Sequence, residues 1–101
     1  MFNKERVIEL VAVLPTYDEI GQVVLYETKT EVIADMQSVS LTEWTNASQL
    51  GLQAEYRAII WANEYNKQEY ADIEGRRYRI YRTYETGDRV ELYLERMVGH
   101  A

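Results

Sequence analysis

The segment from Gly75 to Leu94 reads Gly-Arg-Arg-Tyr-Arg-Ile-Tyr-Arg-Thr-Tyr-Glu-Thr-Gly-Asp-Arg-Val-Glu-Leu-Tyr-Leu. Two β-prone runs flank Gly87-Asp88, a pair that accepts positive φ at little cost and so suits a tight hairpin turn. A two-residue loop there sets Leu92 opposite Thr83 and Leu94 opposite Tyr81. A three-residue loop sets Tyr84 opposite Val90 and Ile80 opposite Leu94. The second gathers more apolar atoms on one face, which favours it wherever one face is buried.

The rest of the chain reads as short strands with one helix. Arg6–Val13 is short and rich in β-branched residues, hence a strand. Residues 14–21 follow as a loop, because Pro15 lacks a backbone donor and Gly21 permits a sharp turn. Gln22–Tyr26 begins a second strand, and Glu31–Val39 begins a third or continues the second past a bend. Ser40-Leu41-Thr42-Glu43 has capping-box spacing, Leu41, Trp44, Ala47 and Leu50 recur every three residues, and Gly51 is a natural stop. The spacing predicts a helix over roughly residues 41–50, the only one in the chain. Glu55–Trp61 and Gln68–Ile73 are further strands, separated by a turn at residues 63–67, and Glu74-Gly75 turns into the hairpin. About five to seven short strands with one small helix point to an all-β fold, a small β-barrel or a sandwich, closed to remove exposed edges.

At 101 residues the chain is one domain, and 47% hydrophobic residues suffice for a core. Cysteine is absent, which removes disulfides and thiolate chemistry, and the only histidine is His100. No Gly-rich phosphate loop, nucleophile elbow or metal-ligand spacing occurs. Pairs such as Asp18/Glu19 and Glu69/Asp72 read as solvated loop charges. The expectation is a protein that is not an enzyme and holds no metal and no cofactor. No apolar run approaches the ~18–20 residues of a membrane span. Residues 1–6 lack the apolar stretch of a signal peptide, so no membrane role is expected and the cytoplasm is the expected compartment.

Three features carry candidate function. The alternating Arg and Tyr of residues 76–84 suit oligonucleotide binding, with phosphates on the arginines and bases on the rings. Against that stand the net charge of −6 and the acids Glu85, Asp88, Glu91 and Glu95, which are placed to neutralise the stripe across the hairpin. The nine tyrosines against a single phenylalanine suit interfaces, since a ring buries while its hydroxyl stays wet. Tyr78 and Tyr81 read as barrel packing, and Tyr17, Tyr65 and Tyr70, near turns, as interface candidates. The segment from Gln37 to Ala54 sets Leu41, Trp44, Leu50 and Leu52 among polar residues, a helix that docks on the barrel or awaits a partner.

The ordered words Val39-Ser40, Glu43-Trp44, Ala47, Gly51-Leu52, Ile59-Ile60, Glu64-Tyr65-Asn66, Gly75, Tyr78-Arg79-Ile80, Arg82-Thr83-Tyr84 and Glu91-Leu92 resemble the head–tail joining, or head-closure, proteins of long-tailed phages and prophages. The resemblance spans about residues 6–96. It implies a β-barrel that stacks as a homo-oligomeric ring, twelvefold in that family, between the portal–adaptor complex and the tail-completion or tail-tube protein. DNA is then only channel cargo. The expected place is the bacterial host cytoplasm during assembly and afterwards the head–tail junction of the virion. A loop that acts as a stopper in the family corresponds to residues 37–54, and here that segment reads as a helix. A tail-completion or minor tail protein on a similar barrel is the neighbouring alternative.

Overall fold

A computed structural model describes residues 4–97. His100 and the first three residues of the N-terminal reading lie outside them. Six strands are present: β1 (Glu5–Tyr17), β2 (Val23–Ser38), β3 (Ala54–Trp61), β4 (Tyr70–Ile73), β5 (Arg76–Thr86) and β6 (Arg89–Arg96). Among the described residues a single α-helix, α1 (Leu41–Gln49), joins β2 to β3, and a 3-10 turn spans Ala62–Glu64. Every neighbouring pair is antiparallel, and the order β1-β2-β3-β6-β5-β4 returns to β1 as a closed, barrel-like ring. The expected mainly-β class with one short helix is the observed one.

Alternation places Ile8, Leu10, Val32, Ala34, Met36, Ala58, Ile60, Ala71, Ile73, Tyr78, Val90, Leu92 and Leu94 in one continuous core. Each fully buried aliphatic side chain there contributes about 1.5–3 kcal/mol relative to exposure.

The hairpin register combines both expected alternatives. From the turn, Thr86 faces Arg89 and Thr83 faces Leu92, the two-residue register, with Gly87 at φ 61°. A β-bulge at Tyr81 then slips the pairing by one, so that Ile80 faces Leu94. One extra residue on β5 therefore keeps Ile80 and Tyr78 facing inward. The β4–β5 turn is equally tight, with Glu74 at φ 51° and Gly75 at φ 79°, the two positive values that a type I′ hairpin needs.

The first hairpin corrects the sequence reading. β1 continues through Pro15 to Tyr17, and of the two readings offered for Glu31–Val39 the structure has the continuation, with β2 running unbroken. The loop shrinks to residues 18–22, closed by the Asp18 carboxylate, which accepts from the amides of Ile20 at 3.0 Å and Gln22 at 2.8 Å. Proline is tolerated because β1 meets β4 only from Glu9 to Val11. Beyond that point β1 has one neighbour, and a missing N–H need break no second ladder.

Candidate functional site

α1 is docked by a single carboxylate. Ser40 caps the helix, its Oγ accepting from the Glu43 amide at 3.1 Å. The capping-box expectation sends the Glu43 side chain back to the cap. Here it reaches the barrel, accepting from Tyr81 Oη at 2.6 Å and from the Arg82 guanidinium at 2.5 Å. The bulge makes this possible, because it turns the consecutive residues Tyr81 and Arg82 toward one carboxylate. Arg82 also lies 4.0 Å over the Tyr93 ring, closing a small cluster on the outer face of the sheet. The Arg82 guanidinium holds the Glu43 carboxyl below its usual range. Burial, followed by the bond to Glu43, pushes the Tyr81 hydroxyl up.

Ala47 is the only buried residue of the helix. Its other apolar residues face out: Leu41 is 78% exposed, Leu50 76% and Trp44 51%. Leu52, half-buried, lines a groove between Trp44 and Arg96.

At the other end of β2 stands an arm. The β1–β2 ladder runs from Glu5/Asp35 out to Tyr17/Val23, but β3 pairs with β2 only at Asp35–Ser38. The outer part of the hairpin therefore projects beyond the ring, and every residue from Leu14 to Glu31 is exposed. The register sets Leu14 beside Tyr26 and, one pair further out, Pro15 beside Leu25. Successive pairs point to opposite faces, so both faces of the ribbon are apolar. Ile20 at the turn is 77% exposed, Tyr17 71% and Leu25 66%.

Charge braces the root of this arm. Arg77 on β5 donates to Asp72 on β4 at 2.8 Å and to Glu27 on β2 at 2.7 Å, and Lys29 reaches Asp72 at 3.2 Å. The cluster spans the outer face across β1, where Val11, with Lys29 and Tyr70 as its register neighbours, is fully buried. Arg77 holds both Asp72 and Glu27 below the ordinary carboxylate range. The arm is thus fixed at its base and free at its tip.

The candidate interface residues fall into three places. Leu41, Trp44, Leu50 and Leu52 gather at the helix end, and Tyr17 sits near the arm tip. Tyr65 packs against the core with its hydroxyl on the Gln68 carbonyl at 3.0 Å, so it offers little free surface. The residues of the family-like motif serve the barrel. Gly75 makes the turn, Tyr78 lies in the core edge-on to Tyr56, and Thr83 faces Leu92. Glu91 accepts from the Tyr93 hydroxyl at 2.8 Å and lies 3.6 Å from Arg57. Tyr84 stays exposed opposite Glu91.

Three of the stripe's four arginines, all but Arg76, are neutralised, by partners other than most of those expected. Arg79 pairs with Glu95 across the hairpin, but Arg77 uses Asp72 and Glu27, and Arg82 uses Glu43. Three guanidinium groups already engaged by carboxylates leave little for phosphate.

Sequence reasoning missed Leu14, Ile20, Val23, Val24, Leu25 and Tyr26 as a surface. Their signal was the unbroken run Val23-Val24-Leu25-Tyr26, which places apolar groups on both faces of a strand and so fits neither a half-buried strand nor a loop. Among the described residues no group of three or more histidines or carboxylates is placed to hold a metal ion. Among the described residues no helix is long and apolar enough to cross a membrane. The sequence matches no family model and no curated protein.

Proposed function

We propose that this chain is a structural subunit of the head–tail connector of a long-tailed phage or prophage. It forms a homo-oligomeric ring between the portal–adaptor complex and the tail, closes the filled head and offers a docking surface to the tail. The observation that carries this reading is the placement of two apolar surfaces at opposite ends of an elongated molecule. β2 has 16 residues, which at about 3.3 Å each span roughly 50 Å, and the long dimension is 54 Å. The arm stands at its start and α1 just past its end. Two different patches far apart favour a head-to-tail contact, arm of one copy on helix face of the next, and such contacts close into rings when the rotation permits. The resemblance of residues 6–96 to head-closure proteins agrees in kind. The arm, rather than the helical segment 37–54, is the projecting element. In a ring with this acidic chain around the channel, DNA slides as cargo because phosphate is repelled.

Electron microscopy of particles from a lysogen lacking this gene tests the reading. Heads that have lost their DNA, beside free finished tails, are the expected result. DNA-filled heads without tails move the role to tail completion, and normal infectious particles refute the connector.

A further inference from the structure

Beside the arm, β2 and β3 part. They pair from Asp35/Ile59 to Ser38/Tyr56, and from Ala34 back to Val23 the same side of β2 has no strand beside it. The split opens a groove of about 550 Å³. Val7, Ile33 and Trp61 form its apolar wall, 58%, 60% and 46% exposed, and Val32 and Ile60 of the core reach its floor. Glu5, Glu31, Asp35 and Glu64 rim it. None of these carboxylates joins an ion pair of the described residues. The one cation of the rim, Arg89, is drawn 3.7 Å over the Trp61 ring.

We propose that this groove accepts an extended segment of a different protein, with apolar side chains alternating with lysine or arginine, as an added strand along the free edge of β2. An unpaired edge presents a row of amides and carbonyls, and main-chain pairing with a partner strand satisfies them. On the outer face the added strand lays side chains beside Ile33 and Trp61, and the acidic rim selects cationic ones. A second copy is a poor occupant. Its arm tip carries Asp18 and Glu19, and its own arginine-rich strand is held between β4 and β6. The occupant is therefore a basic segment of another chain. The inference rests on the groove alone and stands or falls independently of the connector reading.

The test uses the whole protein and two synthetic peptides of equal length, one alternating valine with lysine, the other valine with glutamate. Calorimetry measures binding, and amide hydrogen exchange locates it. The lysine peptide is expected to bind at least tenfold more tightly and to slow exchange along residues 24–34. In the variant Glu31→Lys with Glu64→Lys the preference inverts. In the control Glu19→Lys with Glu69→Lys, of the same net charge but outside the lining of the groove, the preference stays. Equal loss in both variants reduces the effect to net charge and overturns the proposal. Binding of the lysine peptide without slowed exchange on β2 overturns strand addition, as does an absence of binding.

Discussion

Replacing Glu43 by alanine is the sharpest perturbation of the helix dock. The Glu43 carboxylate is mostly buried, its side chain 15% exposed. It accepts from Tyr81 Oη at 2.6 Å and pairs with Arg82, whose side chain is 44% exposed. A hydrogen bond to a charged group contributes about 1.5–3 kcal/mol. The Arg82 pair, screened by solvent, adds at most ~1 kcal/mol. Glu43→Ala should therefore cost about 2–3 kcal/mol, which for a domain of this size lowers the Tm by roughly 10–20 °C. Urea and thermal unfolding followed by the fluorescence of Trp44 and Trp61 measure it. A double-mutant cycle with Tyr81→Phe should return a coupling of about 1–2 kcal/mol. The pH dependence supplies a second check. Glu43 titrates lower in the folded protein than its ordinary value of 4.5, so its stabilisation is present above that value and is lost as pH falls through the folded one. The stability gap between the native chain and Glu43→Gln should close over that acidic window. A coupling below ~0.5 kcal/mol, or a gap indifferent to acid, refutes the docking role of this carboxylate.

Two further variants test the arm. Arg77→Ala removes the bridge between Asp72 and Glu27 and should cost about 1–2 kcal/mol, with amide exchange accelerating from Val13 to Tyr17 before it does in β6. Tyr17→Asp combined with Leu25→Asp changes only exposed groups, so stability should hold within about 0.5 kcal/mol. Sedimentation should nevertheless show a loss of concentration-dependent association.

The class of fold was legible because it rests on alternation and turn chemistry, which are local. Gly75 and Gly87 announced their hairpins, and Ser40 and Gly51 bounded α1 to within a residue. The bulge at Tyr81 was not legible. Both simple registers satisfied part of the apolar pattern, and only the ring decides where the slip falls. The length of β1 was hidden by Pro15, whose effect depends on whether a second strand lies alongside, a property of topology. The destination of Glu43 was hidden for a related reason. The local rule offered it a cap amide, whereas the fold offered a guanidinium and a phenol together. Of the candidate surface, the helix residues stood out by spacing. The arm did not, since Val23-Val24-Leu25-Tyr26 looks like any buried strand until the ring is seen to close without it.

A two-stranded ribbon is marginal in water by itself, and this one keeps apolar side chains on both faces outside the core. Its order rests on the β1–β2 ladder and on the Arg77 clamp at its root, neither of which covers the tip. Such a surface invites indiscriminate association, and two features oppose that. The net charge of −6 repels like chains at separations up to a Debye length, ~8 Å at physiological ionic strength. The acidic pair Asp18-Glu19 at the tip adds local repulsion to any acidic surface it meets. A two-fold dimer formed through the arm tips brings the two acidic tips together, whereas the proposed head-to-tail contact sets the tip against the helix end of the next subunit. There Arg82 and Arg96 lie beside the apolar residues, each already neutralised by a carboxylate, so the tip meets no second acidic tip and neither cation is free. On the proposed reading, electrostatics contributes by disfavouring tip-to-tip contact, and the separation of the two apolar ends does the rest.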